Sequence, residues 1–187
     1  MRNEEISLNT KQELSAALKW TMEKKPLSKI TVSELVRTCD INRNTFYYHF
    51  NDIYDLLKWT FEQEAIEVVK KINLLVNTEE AIRFVLDYVD KNQHIIRCAY
   101  DSIGYGELKR FFYADMVGIV RHAIDGAERE ATIKLPADFK EFLSEFFTEA
   151  LAGMMINWVH SPKKQTKEEI VQNLMIVLQT TLSQLIR

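Results

Sequence analysis

The stretch TVSELVRTCDINRNTFYYHF, residues 31–50, decides how the rest of the chain is read. Thr31 stands where a helix N-cap belongs and predicts a short helix from Val32 to Cys39, with Leu35 and Val36 turned inward. Asp40 and Ile41 make a tight link, and Asn42 caps a further helix from Arg43 to about Phe50. Helix, short turn and helix in these proportions form a helix-turn-helix. On the second of the two helices Phe46 and Phe50 lie one turn apart and predict a buried stripe. Asn44, Thr45, Tyr47 and Tyr48 spread over the outer side, with Arg43 and His49 at its edges. Hydroxyls, imidazole and amides suit phosphate oxygens, and Arg or Asn reads purine edges in a bidentate manner. A short solvated helix with incidental tyrosines is the plainer reading of the same residues.

Working outward, Asn9 or Thr10 is expected to cap a first helix that carries Leu14, Ala17, Leu18 and Met22 at helical spacing and stops before Pro26. A fourth helix begins after Asp52 and runs through Leu56, Leu57 and Phe61 to about Leu75. Beyond it the periodicity predicts helices from Thr78 through Val89, around Ile95 to Tyr100, from Glu107 to Ile124, from Pro136 to His160, and from the capping box Thr166-Lys167-Glu168-Glu169 to the C-terminus. Gly104-Tyr105-Gly106 and Asp125 to Leu135 are the expected loops. The expectation is an all-α chain of about nine helices: an N-terminal helix-turn-helix domain, residues 1–60, and a C-terminal helical bundle, residues 61–187.

Composition agrees. Five Gly and three Pro in 187 residues are sparse turn punctuation, and no Gly precedes Gly104, which argues against a strand-and-turn protein. The longest uncharged run, Ile170 to Ile186, carries Gln172, Asn173, Gln179, Thr180, Thr181, Ser183 and Gln184, too many polar groups for a bilayer span. The start lacks a basic and an apolar region of secretory type. A soluble, cytoplasmic protein without membrane contact is therefore expected. Cys39 and Cys98 have no metal-ligand spacing, and His94 with Cys98 lacks further ligands, so neither metal nor cofactor is expected. The absence of a Gly-rich phosphate loop, HExxH or GxSxG argues against an enzyme. Residues 1–60 hold 9 Lys+Arg against 8 Asp+Glu, and the whole chain carries a formal charge of −3. Binding to a polyanion would thus rest on placed contacts rather than on bulk charge.

The run Asn42-Arg43-Asn44-Thr45-Phe46-Tyr47-Tyr48-His49-Phe50, preceded by Ile30-Thr31-Val32 and followed by Asp55-Leu56-Leu57, resembles the TetR/AcrR family of transcriptional regulators, and the likeness covers residues 8 to 60. The resemblance implies a recognition helix in the DNA major groove of a palindromic operator, and a homodimer. It implies base-reading positions for Arg43 and Asn44, with Ser33 a lesser candidate. Thr45, Tyr47, Tyr48 and His49 fall on phosphate-contacting positions, as does Thr31 at a helix N-terminus that favours an anion; Asn42 completes the set. Two residues depart from the family pattern. Asp40 replaces the usual turn Gly, at modest cost because its short side chain tolerates left-handed geometry. Ile53 replaces a phosphate-contacting Lys, for which Lys29 or the helix start near Asp52 is expected to compensate.

The last two helices carry apolar stripes, Phe142, Phe146, Leu151 and Met155, then Ile170, Leu174, Met175, Val177, Leu178, Leu182 and Leu185. In the family such helices pair between subunits. Phe84, Tyr88, Cys98, Tyr100, Phe112, His122 and Asn157 are the candidates for an effector pocket, with an ordinary helical core as the alternative. The functional expectation is a DNA-binding regulator, a repressor released by a small-molecule effector. Because the run Asn42 to Leu57 also looks like a subgroup near regulators of dihydroxyacetone kinase operons, an activator working with a protein coactivator is the alternative; a helical interaction module without DNA binding is the other.

Overall fold

Spacing of three and four residues puts Leu14, Ala17, Leu18 and Met22 on one face of the first helix, α1 (Arg2–Met22), and all four are buried. The computed structural model describes residues 2–67, 69, 78–160 and 165–185. After α1, a 3-10 turn (Leu27–Lys29) leads to α2 (Val32–Thr38), α3 (Arg43–His49) and α4 (Ile53–Phe61), which passes into a π-helical turn, Glu62–Ile66. Four longer helices follow: α5 (Thr78–Lys91), α6 (Gln93–Ala131), α7 (Ala137–His160) and α8 (Lys167–Leu185). The described residues contain no strand, so the chain is all-α. None of its described helices is long and apolar enough to cross a membrane.

Local capping explains the short elements. Thr31, Asn42 and Asp52 each accept a hydrogen bond from the N–H three residues on: Glu34 at 3.3 Å, Thr45 at 2.8 Å and Asp55 at 2.8 Å. Asp40 takes the left-handed conformation, φ 51°, and the Ile41 N–H then closes the end of α2 on the Val36 carbonyl at 2.9 Å. At α8 the capping box forms reciprocally: Thr166 N–H donates to Glu169 Oε2 at 2.6 Å, and Glu169 N–H donates to Thr166 Oγ1 at 3.2 Å.

Three expectations need correction. Asn9 and Thr10 do not start α1. They lie inside it, where Asn9 Nδ2 donates to Glu13 at 2.9 Å and Thr10 Oγ1 to the Ile6 carbonyl at 3.0 Å. The expected sixth and seventh helices are one element, α6, kinked at Gly104, whose φ 78°, ψ 168° is open only to glycine. Counted at that kink, the α-helices among the described residues number nine. Finally, Asp125 to Ala131 is helix rather than loop. Lys140 pairs with Asp125 and Glu128, and Glu128 Oε1 accepts the Leu135 N–H at 2.7 Å, so the turn between α6 and α7 is confined to the residues after Thr132. Pro136 stands just before α7, its carbonyl accepting from the Lys140 N–H at 3.0 Å. Asp87 of α5 pairs with Lys167 of α8. The far end of the expected fourth helix lies outside the described residues.

One apolar core runs from Leu14, Leu18, Leu35, Phe46 and Leu56 through Phe61 to Ile96, Leu108, Phe112 and Ile156. α1 and α4 run side by side in the same direction, since Ser15 Oγ lies 3.0 Å from Thr60 Oγ1 and Lys19 reaches Glu64 at 2.9 Å. The start of α6 grips the link after α1: a His94 ring nitrogen lies 2.8 Å from the Met22 carbonyl oxygen, and the Leu27 N–H donates to Cys98 Sγ at 3.2 Å. α8 is seated on α5 through Ile170, Val171 and Leu86. Gly104→Ala should destabilise the fold by about 1–3 kcal/mol, the usual cost of holding an L-residue in so sparsely populated a conformation. Urea denaturation followed by circular dichroism measures it.

Candidate nucleic-acid interface

The rotation of α3 is fixed by two rings. Phe46 is wholly buried and Phe50 is 3% exposed, as the one-turn spacing requires. With that side sealed, Arg43, Asn44, Tyr47 and Tyr48 emerge on the other, the last at 83% exposure. Tyr47 sits edge-on against Phe46, centroids 5.5 Å apart at 85°, so its ring is anchored while half of it stays open to solvent. The Arg43 guanidinium leans on it, 6.0 Å from the ring centroid, with Nη2 3.5 Å from the Tyr47 hydroxyl. Asn42 and Thr45 satisfy each other, the Thr45 hydroxyl donating to Asn42 Oδ1 at 3.2 Å beside the cap bond. His49 is half-buried and meets Tyr48 edge-on at 4.9 Å.

Charge is distributed sparingly around this surface. Burial, and after it the charge of Lys11, hold the His49 imidazole below its ordinary value of 6.5. Near neutral pH it therefore offers a neutral ring. Thr31 and Ser33 are exposed at the start of α2. The cap bond uses the Glu34 N–H, however, and Glu34 brings a carboxylate to the same turn, its pKa lowered chiefly by the hydrogen bond from Lys25. That carboxylate is ion-paired with Lys25. At the start of α4, Asp52 caps the helix and Asp55 accepts from both the backbone and side-chain nitrogens of Asn51 at 3.0 Å. Ile53 packs against the core, and Lys29 is exposed in the 3-10 turn. A cation that sequence reading passed over stands here too. Lys11 Nζ lies 5.8 Å from the Phe50 ring centroid and 5.7 Å from that of Trp59. Its spacing of three from Leu14 is the signal that places it at the end of the inward stripe.

The seven residues expected to line a pocket do not converge. Phe84 and Tyr88 do face one cleft of about 690 Å³ between α1, the π-helical turn and α5, with Lys19, Glu64, Lys91 and Asn92. There the Tyr88 hydroxyl donates to Glu64 at 3.1 Å, and burial followed by the Glu64 charge raises the phenol's pKa. The other five lie elsewhere, because the turns of α6 and α7 that carry them face different ways. Cys98 and Phe112 are in the core, Phe112 against Phe61 at 5.5 Å. Tyr100 stacks on His160 at 4.2 Å, and His122 and Asn157 are exposed. Among the described residues no group of three His, Cys, Asp or Glu side chains is arranged to hold a metal ion.

Residues 76–180 match a TetR family model described as the transcriptional regulator C-terminal region. Among curated proteins, the chain is 30% identical over 91 residues to the HTH-type dhaKLM operon transcriptional activator DhaS of Lactococcus lactis subsp. lactis (strain IL1403). That alignment spans about half of each chain, 49% of both. Among solved structures, the dihydroxyacetone kinase operon activator DhaS superposes with a TM-score of 0.75 at 19% identity, covering 94% of this chain and 97% of the other. At that identity the likeness concerns the fold.

A phosphate brought beside His49 would raise the imidazole pKa that burial and Lys11 hold down. The complex then takes up a proton that the free protein does not, and the sign follows: affinity for duplex DNA should rise as pH falls through the histidine range. Fluorescence anisotropy across that range is expected to show the rise in the wild-type chain and a flatter profile in His49→Gln.

Proposed function

Because the chain belongs to the TetR family of transcriptional regulators, we propose that it binds operator DNA through α3 as a homodimer and regulates transcription. The observation that carries this reading is the outward set Arg43, Asn44, Tyr47 and Tyr48 on a helix whose opposite side is locked by Phe46 and Phe50. Such a surface has one use that its chemistry favours: amides and hydroxyls on phosphates, with Arg43 and Asn44 at base edges. Residues 1–60 are the DNA-reading part in this proposal, and the remainder dimerises and senses.

Dimerisation is supported by apolar surface that the chain itself leaves uncovered. Phe139, Phe142 and Phe146 form an exposed ladder along α7, with neighbouring centroids 6.3 Å and 6.0 Å apart, and Ile176 and Val177 are exposed on α8. The expected α7 stripe divides here. Leu151 and Met155 turn inward, Met155 against the core, because five residues from Phe146 to Leu151 carry the helix well past a full turn. Leu182 and Leu185 lie beyond the described side chains. Two subunits joined through α7 and α8 bring two recognition helices to successive faces of one operator.

An effector is proposed to act on the separation of those helices by favouring one of two arrangements. The cleft at Phe84 and Tyr88 suits this role because Lys19 and Glu64 join it directly to α1 and the end of α4. For the sign of regulation, release of a repressor by a small molecule is one reading. Activation, with a protein coactivator, is supported by the names of the similar proteins, both described as activators.

Arg43→Ala should cost roughly 1–3 kcal/mol of affinity and relax one base preference on duplexes selected by the wild-type protein from a random library. Unchanged affinity and preference would remove Arg43 from base reading. Phe142→Glu combined with Phe146→Glu should turn a dimer into a monomer by light scattering while circular dichroism stays helical, and a wild-type monomer at micromolar concentration would refute the proposed interface.

A further inference from the structure

We propose that Lys11, on α1 rather than in the helix-turn-helix, supplies a DNA phosphate contact at the C-terminal edge of the recognition helix. The proposal rests on the DNA-binding reading above. Three observations support it. First, the ammonium lies over two rings, 5.8 Å from the Phe50 centroid and 5.7 Å from that of Trp59, and these rings meet edge-on at 5.8 Å. Cation–π attraction from two ring faces orders a side chain that would otherwise be mobile. Second, α1 and α4 run in register through Ser15–Thr60 and Lys19–Glu64, so one turn earlier Lys11 stands level with the first turns of α4, beside His49, whose titration it influences. Third, no carboxylate is paired with it among the described residues. The acidic groups closest along the chain to this edge are already engaged: Asp52 with the Asp55 N–H, and Asp55 with Asn51.

The position left empty of charge by Ile53 is thereby supplied from a different helix. Phe50 links the two functions, since it anchors α3 in the core and presents a ring to Lys11. Arg43 acts at the start of α3 and reads bases; Lys11 acts at its end and carries no sequence information.

The test measures the full-length chain on duplexes that the wild-type protein selects from a random library, by anisotropy over a range of KCl. Lys11→Met keeps the stem on the two rings and removes the charge; Lys11→Arg keeps the charge. If Lys11 meets a phosphate, the slope of log affinity against log salt becomes shallower by about 0.9 per subunit in Lys11→Met, with equal loss on selected and unrelated duplexes. Lys11→Arg retains the wild-type slope. A Lys11→Met protein that melts like the wild type and keeps its slope overturns the proposal, as does one that only melts earlier. The two readings fail differently. A wild-type chain that enriches no duplex and binds no better than Arg43→Ala removes the DNA-binding reading, and Lys11 falls with it. A wild-type chain that selects a site, with Lys11→Met unaltered in slope, removes Lys11 alone.

Discussion

The burial of Phe46 settles more of this molecule than any other contact. A seven-residue helix has too few turns to hold its own orientation, and α3 is rotated into place by one ring with no exposed surface, backed by Phe50 one turn on. Every other side chain of the helix is then assigned its direction. Arg43, Asn44, Tyr47 and Tyr48 face outward because Phe46 faces inward, and Tyr47 is steadied from beneath by the same ring. The left-handed turn at Asp40 and the caps at Thr31 and Asn42 set the angle at which α3 leaves α2. Without the ring in the core that angle would hold nothing.

The same core ties α3 to the rest of the chain. Phe46 belongs to an apolar cluster that continues through Phe61 and Phe112 to Ile156 without a break. α1 lies along it as a spine, joined to α4 by Ser15–Thr60 and Lys19–Glu64 and to α6 by the Met22 and Leu27 contacts of His94 and Cys98. The first two join side chains, and the last two join a side chain to the backbone. α6 thus touches the link between α1 and α2 directly. A π-helical turn, Glu62–Ile66, follows α4 where Glu64 meets Lys19 and Tyr88, which puts this irregular turn at the cleft.

Much of the site was legible because it is local. The caps at Thr31, Asn42 and Asp52, the spacing of Phe46 and Phe50 and the polar inventory of α3 all depend on residues within a few turns of one another, and the structure matches them; the cap expected at Asn9 or Thr10 does not form. The pocket was not legible for the opposite reason. Phe84, Tyr88, Cys98, Tyr100, Phe112, His122 and Asn157 were grouped by type, but which of them share a cavity depends on how α6 and α7 rotate against each other. Only Phe84 and Tyr88 meet in the cleft. Lys11 was missed because a lysine three residues before a buried leucine reads as an edge residue until the rings of Phe50 and Trp59 arrive from elsewhere in the chain.

Sequence by itself determined the helical class, the helix-turn-helix and the outward side of α3, since hydrophobic period, caps and a sterically permissive residue at the turn are encoded within short windows. It also marked Gly104 as special, though as a loop. Only the tertiary structure decided that Gly104 bends one long helix, because the packing of α6 on α7 makes continuation more favourable than a break. Tertiary structure likewise decided that Lys11 stands beside α3, and which phenylalanines remain uncovered. Each of these depends on groups far apart in the chain, and their meeting is set by the packing of whole helices.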